Sequence, residues 1–207
     1  SKSIKNKNLI LIKKKLLIYW SIRKSKFSNL INHTWVSSDS EKILKISKEF
    51  GAKIIKRPKI FAKDNSTSES AWEHAINLIK KNHRIDLVVG IQPTSPIRKK
   101  SDFDNAIKLF IKNRFDSLFS SNKIHDFNTW KYKEKKLVAN YNFKKRNRRQ
   151  NIRNFYLENG SFYIFKPKIF LKEKNRLFGK IGQFEMEKNS SFQLDDMIDL
   201  KIIKLLI

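Results

Sequence analysis

The order of apolar and polar positions divides the chain into short strands and amphipathic helices. The clearest signal is the apolar run at residues 87–91. It breaks off in the polar turn Gln92-Pro93-Thr94-Ser95-Pro96-Ile97-Arg98. An uninterrupted run of this length suits a strand covered on both faces of a parallel sheet. Pro93 and Pro96 end its pairing, because proline has no N–H to offer a ladder. Helical spacing predicts helices at 15–26, 41–50, 69–81, 102–113 and 196–206. In the first of these, Leu16, Leu17, Tyr19, Trp20 and Ile22 share the packed face. Gly51 stops the second, and Ser66 or Thr67 caps the third. Strands are predicted at 35–38, 53–56 and 116–121, the first running into the turn Asp39-Ser40. Strands alternating with helices describe an open α/β sheet, in which ligands bind beyond the carboxyl ends of the strands. Gln92, Thr94, Ser95 and Arg98 fall at such a place.

Composition narrows the picture. The 207 residues fill one α/β domain, and no separate linker-joined domain or internal repeat is visible. There is no cysteine, hence no disulfide framework, thiolate nucleophile or cysteine-held metal. No apolar run approaches the roughly 20 residues of a membrane span. No secretory signal is visible, so the expected location is cytoplasmic. The formal net charge is +27. That much charge suggests a polyanion partner. Yet the basic residues are spread along the whole chain. The richness in Lys, Ile, Asn and Phe, with 5 Gly and 4 Pro, is what AT-rich coding produces.

The turn carries a family resemblance. Gln92-Pro93-Thr94-Ser95-Pro96-Ile97-Arg98 resembles the signature of acylneuraminate cytidylyltransferases, the CMP-sialic acid synthetases, whose relatives activate legionaminic and pseudaminic acid. The cousins that activate Kdo carry a Gln-Gly-Asp-Glu-Pro type of turn here. Further stretches follow in the family's order. Ser1-Lys2-Ser3-Ile4-Lys5-Asn6-Lys7-Asn8-Leu9 resembles the second half of a phosphate loop, without the strand and Arg that precede it in the family. We therefore expect a fragment whose upstream extension restores that strand. Arg57-Pro58 through Ser66-Thr67-Ser68 resembles the loop that holds cytosine and ribose. Arg149-Gln150 and Asn159-Gly160-Ser161-Phe162-Tyr163 match in type and spacing. Gln193-Leu194-Asp195 through Asp199-Leu200 resembles an Ile-Asp-Ile-Asp ending.

The resemblance implies a single Rossmann-like domain over 1–207. It has three layers, α/β/α, a mostly parallel sheet, and a small insert at about 122–158 for oligomerisation. It implies a nucleotidyltransferase that joins CTP to a nonulosonic acid, giving CMP-sugar and diphosphate, with Mg²⁺ and as a homodimer. Lys2, Lys7 and Asp195 would be catalytic. Ser1, Lys2, Lys7, Asn8, Arg57, Ser66, Ser68 and Gln92 would bind the nucleotide. Gln92, Arg149, Asn159, Tyr163 and Phe178 would bind the sugar. Asp195 and Gln193 would hold the metal. Gln193 departs from the family's acid, since an amide can ligate a hard cation but brings no charge. Read without the resemblance, these residues have plainer roles. The basic start would be a solvated terminus, Arg149 part of a charge run, Tyr163 a packed strand residue and Asp195 the cap of the last helix. Three alternatives remain at this stage. They are a Kdo cytidylyltransferase, an inactive fragment, and a nucleic-acid module resting on the charge and the aromatic, basic stretch 122–153.

Overall fold

The computed structural model describes residues 4, 7–63, 66–124, 128–146, 148 and 155–207. A short hairpin, β1 (Leu11–Ile12) and β2 (Lys15–Leu16), leads into α1 (Leu17–Lys26). Strand β3 (Trp35–Ser38), helix α2 (Glu41–Glu49) and strand β4 (Lys53–Lys56) form a β-α-β unit with its two strands parallel. Ser40, rather than Asp39, caps α2 by accepting from the Ile43 N–H. Gly51 takes φ +81° just past its end, a conformation that glycine adopts without cost. Thr67 caps α3 (Ser68–Ile79), and β5 (Val88–Ile91) follows. Next come α4 (Asp102–Lys112), β6 (Ser117–Lys123), and the hairpin β7 (Trp130–Lys133) and β8 (Lys136–Ala139). The chain ends with β9 (Tyr156–Phe165), α5 (Pro167–Glu173), β10 (Ile181–Glu185) and α6 (Met197–Leu206).

The central sheet has the order β10-β6-β9-β5. β10 runs parallel to β6, while β9 runs against both β6 and β5. Three of its strands therefore share one direction, with one reversed. The pairing of β5 differs from the sequence expectation. Its ladder partner is the antiparallel β9, and an apolar run does not tell the two kinds of neighbour apart.

Alternation along β9 shows why helices cover both faces. Phe162 and Ile164 point to a core shared with Phe103, Ala106, Ile107 and Phe110 of α4. Tyr163 and Phe165 point the other way, to Ile76 of α3 and Phe170 of α5. A period of two sends alternate residues to opposite faces, and three layers result. A third core joins α1 and α6 through Leu17, Ile97, Leu194, Leu200 and Ile203.

Two elements had no clear pattern in the sequence. α5 is too short to show a helical period, and β10 is diluted by Gly182 and Gln183. The insert is also more regular than its composition suggests. β7 and β8 close through Glu134 and Lys135, both at positive φ, as a two-residue hairpin turn requires.

Candidate functional site

Beyond Ile91 the strand pairs for one more residue, with the Gln92 N–H donating to the Ser161 carbonyl at 3.0 Å. The Gln92 side chain donates to Ser68 Oγ at 2.9 Å, joining the strand tip to the start of α3. The rest of the turn faces inward more than its polarity suggests. Arg98, placed by position among ligand-holding residues, is buried. It donates to Ser161 Oγ (2.7 Å), Ser21 Oγ (3.0 Å), the Gln92 carbonyl (2.7 Å) and the Ser161 carbonyl (2.8 Å). Burial pushes its pKa down to about 9, with Asp102 pulling it back, so it remains a cation at neutral pH. Arg98 is thus a clamp between turn, β9 and α1. Ser95 is also buried. The Thr94 carbonyl accepts the Leu194 N–H at 2.8 Å and fixes the segment 193–195 beside the turn.

Where β9 passes β6, the register shifts between Phe119 and Ser121, and Asn159 lies in the bulge. Asn159 is 1% exposed. Its Oδ1 accepts from Ser120 Oγ (2.6 Å) and from the Ser161 N–H (3.0 Å), and its amide faces Met186 and Ser190. This corrects its assignment as a sugar contact: the side chain shapes the bulge from below. Gly160 has φ +62°, and a Cβ there would meet the Gln193 amide at 2.7 Å. Gln193 lies over this glycine and donates to the Asn159 carbonyl at 2.7 Å. Its NH₂ group is committed to backbone, which leaves the amide oxygen as the atom that could face a cation.

The acidic tip sorts itself by use. Asp196, not Asp195, caps α6, in a reciprocal box with Asp199. Asp199 accepts from the N–H groups of Asp195 and Asp196. The Asp195 side chain is 73% exposed, and Lys7, 10% exposed, donates to its Oδ1 at 3.1 Å. Two residues expected to work together are in contact across the chain. Among the described residues no cluster of three or more His, Asp or Glu could hold a metal. One exposed carboxylate with open solvent beside it fits Mg²⁺, which is commonly held by one or two carboxylates plus substrate phosphates.

Tyr163 is buried, and its hydroxyl donates to Glu158 at 2.9 Å. Burial and the Glu158 bond raise its pKa, while Arg176 counteracts them. The Arg176 guanidinium lies 4.7 Å from the Tyr163 ring centre and 5.1 Å from that of Trp72. It donates to Glu69 at 2.5 Å. Burial opposes its charge, yet the bonds to Glu69 and Tyr163 hold its pKa above the ordinary value. Sequence reasoning missed Arg176, Glu69, Trp72 and Glu158. A usable signal existed: acids are scarce in this chain, and Glu69 and Glu73 stand one helical turn apart.

The other expected residues are less informative. Ser1, Lys2 and Arg149 lie outside the described residues. Asn8 sits in the turn of 3₁₀ helix that holds Lys7. Ser66 closes a turn onto the Lys63 carbonyl. The Arg57 N–H bonds the Ser38 carbonyl at the tips of β3 and β4, and its buried Nε has no partner among the described residues. Phe178 is buried with Ile76, Phe165 and Phe170. Core packing accounts for it, and that corrects its assignment as a wall of the sugar pocket.

A three-layer α/β fold with polar and charged segments gathered at one sheet edge is what the family comparison then places: the chain belongs to the cytidylyltransferase family, which it matches over residues 1–205. These enzymes are nucleotidyltransferases. The chain is 35% identical over 205 residues to N-acylneuraminate cytidylyltransferase A of Danio rerio, covering 96% of this chain and 46% of that one. It thus spans about half the length of that relative. It is 31% identical to the post-translational flagellin modification protein B of Campylobacter coli, covering 100% of this chain and 90% of that one. The pseudaminic acid cytidylyltransferase of Campylobacter jejuni strain 81-176 is 28% identical, with 100% and 91% covered. Among solved structures, a CMP:2-keto-3-deoxy-manno-octonic acid synthetase complexed with CTP superposes with a TM-score of 0.74 at 13% identity. That match covers 100% of this chain and 93% of the other. It shows the fold. Among the described residues no helix is long and apolar enough to cross a membrane.

Proposed function

We propose that the protein transfers a cytidylyl group from CTP to the anomeric hydroxyl of a nine-carbon, sialic-type acid. The hydroxyl oxygen attacks the α-phosphorus in line, the bond to the bridging oxygen breaks, and diphosphate leaves. Chemistry of this kind rests on positioning and on neutralising charge. The observation that supports the reading is the meeting of four separate segments at one sheet edge. Lys7 contacts Asp195, the Thr94 carbonyl holds Leu194, and Gln92 reaches Ser68. In this reading Lys7 and Lys2 face the triphosphate, while Arg57, Ser66 and Ser68 line the base and ribose. Arg149 and Tyr163 meet the sugar acid. Asp195 would hold Mg²⁺, which supplies charge neutralisation to the triphosphate when bound. The turn at Gln92 favours a sialic-type acid over Kdo. We take the reaction to be cytoplasmic, where CTP is made.

We also take the working form to be a homodimer built on the β7–β8 hairpin. Trp130, Tyr132, Leu137 and Ala139 alternate onto one face of that ladder, and the first three are exposed. A two-stranded hairpin with a bare apolar face is marginal alone.

The test is diphosphate release from CTP with a panel containing N-acetylneuraminate, legionaminate, pseudaminate and Kdo. Turnover is expected with a nine-carbon acid and far less with Kdo. Turnover with none of the panel, or best with Kdo, overturns the assignment.

A further inference from the structure

We propose that Arg176 is a positioning residue that couples the nucleotide edge of the site to its sugar edge, an inference that rests on the reading above. The guanidinium has two commitments. On one side it bonds Glu69, in the first turn of α3, the residue after Ser68, which holds Gln92. On the other it lies against the Tyr163 ring, 4.7 Å from its centre, and the Tyr163 hydroxyl donates to Glu158 at 2.9 Å. A continuous line therefore runs Gln92–Ser68–Glu69–Arg176–Tyr163–Glu158. The group lies against the neighbouring Trp72 and Tyr163 rings, and the side chains of Arg176 and Glu69 are 23% and 20% exposed.

The loop that carries Arg176 is itself held. Lys174 turns the chain with φ +54° and pairs with Glu73, one turn along α3 from Glu69. Asn175 Oδ1 accepts the Leu177 N–H at 3.1 Å. Two basic residues of one loop thus strap the acidic edge of α3. Arg176 alone reaches past the helix to Tyr163. A planar guanidinium that donates to a carboxylate while lying against aromatic rings is a task for arginine; a lysine ammonium keeps the ion pair and loses the stacking.

The experiment compares Arg176→Met and Arg176→Lys with the parent on the full chain. Two things are read: CTP binding alone, by Trp72 fluorescence with Trp72→Phe as the assignment control, and KM for each substrate by diphosphate release. Arg176→Met is expected to raise KM for both CTP and the sugar acid by about tenfold, the effect of losing one charged bond's worth of positioning. Arg176→Lys, keeping the Glu69 arm, is expected to recover CTP binding but not the KM for the sugar acid. Unchanged KM values in Arg176→Met, with only a lower Tm, would make the residue a structural pin and overturn the coupling. Full recovery of both substrates by Arg176→Lys would overturn it too, since charge alone would then suffice. If the parent binds CTP but turns over no sugar acid, the assigned reaction fails; weakened CTP binding in Arg176→Met then still upholds the α3 arm.

Discussion

At the scale of single residues, the site separates groups that face solvent from groups that shape the backbone. Asp195 and Asp196 are neighbours with opposite duties. One caps a helix, and the other holds its carboxylate out against a lysine. Replacing Asp195 by Asn removes a charge without removing a cap. We expect Asp195→Asn to fold with the parental Tm and to lose nearly all diphosphate release at any practical Mg²⁺ concentration. A Mg²⁺ titration of the rate checks this, and a parental midpoint would return Asp195 to a surface role. The structure also revises what Gln193→Asp would do. An aspartate is one carbon shorter and cannot donate to the Asn159 carbonyl, so the substitution loosens the bulge as well as adding a charge.

At the scale of elements, the start of α3 decides where Ser68 lies, and Thr67, Glu69 and Arg176 hold that start. The bond from Arg176 holds the Glu69 carboxyl below its usual range, against the upward pull of burial. The sign follows from linkage. A carboxylate whose folded pKa is depressed stabilises the fold above the unfolded value, about 4.3 for Glu. That contribution fades as pH falls through the folded value. Urea denaturation should show Glu69→Gln less stable than the parent at pH 7, with the gap closing below about pH 4. A gap independent of pH would mean that shape, not charge, holds the helix.

This element also shows what a sequence can carry. The helix was legible from its period and its capping Thr67, and the Gln92 turn from its prolines. Arg176 was not, because it reaches α3 from 107 residues away. Nothing local marks a side chain whose partners come from other elements. Asn159 was misread for the opposite reason. Its motif was visible, but whether a strand residue points up or down depends on a bulge that pairing with Ser120 creates.

At the scale of the whole molecule, the surplus of positive charge and the bare hairpin face bear on assembly. Tyr132 is 77% exposed and stands opposite Leu137 on one face, while Lys131, Lys133 and Lys136 occupy the other. Putting like charges on the apolar face should prevent two copies from closing on it. Tyr132→Lys with Leu137→Lys is expected to sediment as a monomer, where the parent sediments as a dimer. A parental dimer that survives this change would place the interface elsewhere. If the parent instead binds polynucleotides with an affinity that falls steeply with salt, the same lysines belong to a polyanion surface.

The contact between Lys7 and Asp195 joins positions 188 residues apart. Neither residue can find the other until the chain between them has folded and brought its two ends to one edge of the sheet. Closing so long a loop is entropically costly and becomes cheap only once the intervening cores exist. The reactive edge is therefore completed late, after the hydrophobic layers that carry it. A half-made chain, however well packed its first helices and strands, cannot bring this lysine to this acid. On the proposed reading, CTP binding would then report that folding has reached its end.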